Sequence, residues 1–125
     1  MNDLESVRQR LLREEPKRRL GHLAADLLRV ANFIESGSAD EAKPIIRESK
    51  WFAEWIAPEA NLETQQLLSE TQSFLALKEI QWPNWIHNPK EVSATASTVR
   101  LWSQYLLKQS GLLDEPQPHD RVAEP

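Results

Sequence analysis

Between Leu20 and Ile34 the chain places Leu20, Leu23, Ala24, Leu27, Leu28, Ala31 and Ile34 at spacings of one, three and four. That periodicity gathers them on one side of an α-helix, and Val30 and Phe33 widen the stripe. A stripe this broad cannot be left in water, and a single partner helix cannot cover it. It calls for neighbours on two sides, which restricts the chain to folds in which helices pack on helices. No segment combines β-branched enrichment with strict alternation, so no strand is expected.

Proline, glycine and small polar residues set the expected helix ends. A first helix over about Asp3 to Glu14 carries Leu4, Val7, Leu11 and Leu12 as a narrow stripe. Pro16 breaks it and suits the first turn of a second helix, which runs to about Ser36 with Gly37 just beyond. Ser38 and Glu41 have the spacing of a capping box and open a third helix with Ile45, Phe52 and Ile56 as its core face. Pro44 falls early in that helix, and Pro58 ends it near Ala57. Asn61 caps a fourth helix carrying Leu67, Leu68, Thr71, Phe74, Leu75 and Leu77, which frays before Trp82-Pro83. Asn88-Pro89-Lys90-Glu91 starts a fifth, with Val92, Val99, Trp102 and Leu106 facing the core and Gly111 as the stop after about Ser110. Residues 1–113 thus read as one helical domain whose first 15 residues form an arm. Residues 114–125 are charged, bear prolines and lack large apolar anchors, the composition of a mobile, disordered tail. The expected fold is all-α: an antiparallel up-and-down four-helix bundle with a short extra N-terminal helical arm and that tail.

Composition removes several classes of chemistry. The 125 residues are 40% hydrophobic, enough for a core without metals or disulfides. There is no cysteine, so thiol catalysis, iron–sulfur clusters and thiolate zinc are excluded. Gly21, Gly37 and Gly111 are too far apart to build a phosphate loop. The longest unbroken apolar run is Phe74-Leu75-Ala76-Leu77, so neither a membrane span nor a signal peptide is expected. The histidines are His22, His87 and His119, with Arg19, Asn84 and Pro116 three residues before them. The Glu-x-x-His pairs of a bundle carboxylate-metal site are therefore missing, and neither a metal nor a cofactor is expected. No Gly-x-Ser-x-Gly elbow is present, and the adjacent acid pairs fall at helix ends or in the tail, where acids in exposed first turns complement the helix dipole.

The net charge of −4 argues against a dedicated nucleic-acid binder. The first 20 residues hold Arg8, Arg10, Arg13, Lys17, Arg18 and Arg19, but four acids are interleaved, so a solvated polar face is the expected reading. Five tryptophans are the sharpest compositional signal. Trp51 and Trp55 lie one turn apart beside Phe52, Trp82 and Trp85 bracket Pro83-Asn84 in an apolar connection, and Trp102 sits in the last helix. The Trp82–Trp85 segment is expected either to close over the end of the core or to line a pocket. Ser93 to Thr98 are six small residues in a row, suited to close helix packing.

These features describe a cytoplasmic, non-enzymatic protein-interaction module that forms a homodimer or binds another protein. Its candidate interface or pocket residues are Leu4, Val7, Leu11, Trp51, Trp55, Trp82 and Trp85. The alternatives are a small-molecule binder using Trp82 and Trp85, or a phosphotransfer protein using His22.

Overall fold

The helix ends follow the residues that cap or break them. The computed structural model describes residues 3–112, so the tail expected at 114–125 lies outside the described residues. In chain order the elements are α1 (Asp3–Leu12), α2 (Pro16–Glu35), α3 (Ala39–Ile56), a 3₁₀ turn (Ala57–Glu59), α4 (Leu62–Ile80), α5 (Trp82–Trp85) and α6 (Pro89–Ser110). Among the described residues every regular element is helical. Pro16 opens α2 behind an extended Glu15, where its missing N–H costs nothing. The Asn61 side chain accepts the Thr64 N–H at 2.8 Å at the start of α4. Asn88 accepts from the Lys90 and Glu91 N–H groups at 3.1 and 3.4 Å, with Pro89 in the first turn of α6. Gly111 ends α6 in the left-handed region at φ 75°, which L side chains resist.

One expected cap does not form. Ser38 precedes α3, but its hydroxyl makes no capping bond. The left-handed Gly37 turns the chain so that the Ser38 N–H bonds back to the Phe33 carbonyl at 2.8 Å. That tie holds Ser38 at φ −99°, ψ 49°, outside the extended backbone from which an N-cap side chain reaches its helix.

α2 occupies the middle position that its broad stripe demands, packing on both α3 and α6, while α4 packs on α3 and α6 and α1 lies on α3. Leu23, Leu27 and Val30 of α2 are fully enclosed with Leu68 and Leu75 of α4 and Val99 and Leu106 of α6. Polar contacts fix which turns meet. The Ser103 hydroxyl donates to the Ala24 carbonyl at 2.6 Å, and Arg100 reaches Asn32 at 2.8 Å and pairs with Glu35. Between α3 and α4, Gln72 donates to the Lys50 carbonyl at 3.1 Å and Lys50 pairs with Glu79. Thr64 and Gln109 join the start of α4 to the end of α6 at 3.2 Å.

Arg19 belongs to this scaffold and not to a basic surface. It is buried, and its guanidinium donates to the Glu14 carbonyl at 2.8 Å, the Leu12 carbonyl at 2.7 Å and the Glu59 carboxylate at 2.5 Å. One side chain therefore satisfies a carbonyl at the end of α1 and another just beyond it, and ties that corner to the 3₁₀ turn after α3.

α4 is rotated relative to the stripe expected from Phe74 and Leu77. Its buried residues are Thr64, Leu68, Thr71 and Leu75, whereas Phe74 is half-buried and Leu77 exposed. Thr71 tolerates the core because its hydroxyl bonds the Leu67 carbonyl at 2.8 Å. Phe74 instead meets Trp102 edge-on, with ring centroids 4.7 Å apart at 81°. No helix among the described residues is long and apolar enough to cross a membrane.

Candidate functional site

The expected interface residues separate into those spent on the core and those that remain at the surface. Trp82 and Trp85 are only 8% and 3% exposed. Their segment is a helical turn, because Pro83 supplies a helix-compatible φ directly after Trp82. The two indoles meet edge-on at 5.0 Å, and the Trp85 N–H donates to the Lys78 carbonyl at 2.8 Å. Lys43 lies over Trp82 and Lys78 over Trp85, at 5.0 and 5.1 Å. With its polar atom satisfied and its faces covered, this pair is packed as a plug of the core.

The arm is graded along its length. Leu11 is buried at 2%, Val7 packs partly against the core, and Leu4 is 39% exposed. Trp51 and Trp55 behave differently from the other pair. They stack one turn apart on α3, centroids 5.9 Å and planes 22° apart. Trp55 leans on Phe52, whereas Trp51 remains 37% exposed. Around Trp51 stand Arg47, Lys50 and Glu54, and a shallow cavity of about 400 Å³ runs beside it towards Gln72, Ser73 and Ala76 of α4.

A second region was not visible as a unit in the sequence. A groove of about 390 Å³ opens where α1, α2 and α3 meet, with Val7, Leu11 and Phe52 as its apolar wall. Its polar wall is Arg10 and Glu14 from the arm and its end, His22, Asp26 and Arg29 from α2, and Glu48 from α3. Asp26 is 2% exposed. Its Oδ1 faces Arg29 at 3.4 Å, and its Oδ2 has no hydrogen-bond partner. Burial pushes its carboxyl from 3.8 up to about 6, the neighbouring Glu48 adds to the rise, and His22 and Arg29 oppose it. His22 sets its ring edge-on to Phe52 at 5.3 Å and its Nδ1 3.5 Å from Glu14.

No family model matches the chain, and no curated protein or solved structure does. The chemistry of the two regions must therefore carry the reading. Among the described residues no three His, Asp or Glu side chains are arranged to hold a metal ion. Of the groove's acids Asp26 and Glu48 stand beside each other, and no third ligand among the described residues joins them to make a metal site. Asp26 could have been noticed only as an acid inside an apolar arc, between Leu23 and Leu27. Glu48 lies 22 residues further on, and only the α2–α3 contact brings the two together. Of the small run in α6, Thr95 and Ala96 are buried, while Ser93, Ala94 and Ser97 face outward.

Proposed function

We propose that the chain is a non-enzymatic, cytoplasmic interaction module, an antiparallel up-and-down four-helix bundle of α2, α3, α4 and α6 that forms a homodimer through the Trp51 face of α3. The bundle topology is supported by the order of the contacts. Residues early in α2 meet the 3₁₀ turn that follows α3 and residues late in α6, as Arg19 with Glu59 and Ala24 with Ser103, and late α2 meets earlier α6, as Asn32 with Arg100. The same reversal relates Thr64 to Gln109 and Lys78 to Glu91 between α4 and α6.

The observation that carries the self-association is the stacked, part-exposed Trp51–Trp55 pair with charges of opposite sign on either side of Trp51. A two-fold axis between Lys50 and Trp51 sets Arg47 of one protomer against Glu54 of its partner, because each lies about one turn from the axis. It also brings Lys50, whose ammonium pairs with Glu79, beside the facing Trp51. The surface is thus complementary to itself, which a surface for an unrelated partner need not be. Central tryptophans dominate such interfaces, so Trp51→Ala should weaken the dimer by about 2 kcal/mol or more, roughly thirtyfold in affinity. Sedimentation velocity across the micromolar range tests this. A chain that is monomeric throughout, or a Trp51→Ala variant that dimerises as well as the parent, contradicts it.

Phosphotransfer through His22 is disfavoured by its setting. A phosphoryl donor would approach a groove in which the acids Glu14, Asp26 and Glu48 outnumber the cations Arg10 and Arg29, and the net negative charge repels it.

A further inference from the structure

Three buried side-chain atoms lack hydrogen-bond partners among the described residues: Ser49 Oγ, Thr95 Oγ1 and Asp26 Oδ2. The two hydroxyls sit on helices and can rotate towards the carbonyl one turn back. A carboxylate has no proton to give and needs a donor brought to it. Asp26 is the one that lines a cavity, the groove between α1, α2 and α3. It also lines a second, more apolar hollow that adjoins the first and shares Glu14, His22 and Arg29 with it. Asp26 therefore stands in the groove wall with an unpartnered oxygen buried just beneath the groove's surface.

We propose that this groove binds a small organic cation bearing N–H groups, a primary amine or a guanidine, whose head is received by Asp26 and Glu48 and whose alkyl chain lies along Phe52. The charge arrangement selects this class. Facing Asp26 are Arg10 and Glu14 from the arm side, His22 and Arg29 from α2 and Glu48 from α3. Arg29 is largely exposed and reaches Asp26 only through Oδ1 at 3.4 Å, and His22 is directed to Glu14 at 3.5 Å. Oδ2 and the Glu48 carboxyl are left as two acceptors with one shared need. A proton taken up between them meets it in acid, and an ammonium or guanidinium meets it when both are ionised. The groove volume of about 390 Å³ accommodates a ligand of a few carbons and is too small for a folded partner. This site is separate from the Trp51 face, so it stands or falls independently of the dimer.

The test uses the full chain and three probes: butylamine, butylguanidine and tetramethylammonium, titrated near pH 7.5 and followed by calorimetry and by the imidazole proton signals of His22. The first two should bind saturably in the millimolar range and shift His22. Tetramethylammonium should not, since it is cationic but has no N–H for Oδ2. Affinity should fall by about tenfold per pH unit in acid, once a proton occupies the acid pair. Asp26→Asn should reduce butylamine affinity by about tenfold or more, as a neutral amide loses the charge-assisted bond. Glu48→Gln serves as the second variant with the same expectation. Absence of binding by both amines means that a shared proton is the only occupant, and overturns the proposal. Equal binding of tetramethylammonium, selective binding of an anion such as butyrate, or unchanged amine affinity in both variants also overturns it.

Discussion

Asp26 follows Leu23 and precedes Leu27 on the helix that buries the most residues, and its side chain goes inward with them. Its carboxyl titrates at about 6 in the folded chain, principally because burial penalises the charge and secondarily because Glu48 stands beside it. In the unfolded chain the same group returns to its ordinary value near 3.8. Between those values the folded state holds more proton than the unfolded state, so stability declines as pH rises. The contribution is complete below the unfolded value and gone above the folded one, with a ceiling of roughly 3 kcal/mol for a shift of this size. Asp26→Asn should therefore flatten the pH dependence. Urea denaturation of both chains at about pH 5 and pH 8 should show the parent losing stability relative to the variant as pH increases. Parallel behaviour of the two would mean that Asp26 is not desolvated. Arg19 makes the complementary point: a residue counted among surface cations is instead buried with three acceptors.

At the scale of the element, what was legible depended on whether the signal was local. Pro16, Asn61, Asn88 and Gly111 act on the backbone within a turn of themselves, and the helices start and stop where those residues require. The capping box at Ser38 failed because a second local device, the Gly37 turn, claimed the same backbone first. The orientation of α4 was not legible, since Leu67, Leu68, Phe74, Leu75 and Leu77 surround the helix instead of marking one side. Its neighbours chose the face. The groove was illegible for a related reason, being assembled from α1, α2 and α3 with no shared motif. The arm can be tested residue by residue. Leu11→Ala should cost about 2–4 kcal/mol, as for other enclosed leucines, while Leu4→Ala should stay within about 0.5 kcal/mol. Chemical denaturation of both variants reads the difference. Equal costs would place Leu4 in an interface that the arm makes with something other than α3.

The whole molecule combines a closed interior with a part-exposed aromatic face on α3. Trp82 and Trp85 seal the core through edge-on rings and the satisfied Trp85 indole N–H, and Phe74 and Trp102 pack edge-on at the α4–α6 seam. Trp51, between Arg47 and Glu54, is the most exposed of the tryptophans. If that face pairs with a copy of itself, the charges on its two sides must be exchangeable as a set. Sedimentation equilibrium of the parent, Arg47→Glu, Glu54→Arg and the double variant measures this directly. Each single reversal places like charges opposite one another twice in the symmetric dimer and should weaken it, whereas the double reversal restores the pairing and should recover the parent affinity. Single variants that dimerise like the parent, or a double variant weaker than either single, would contradict self-association through this face.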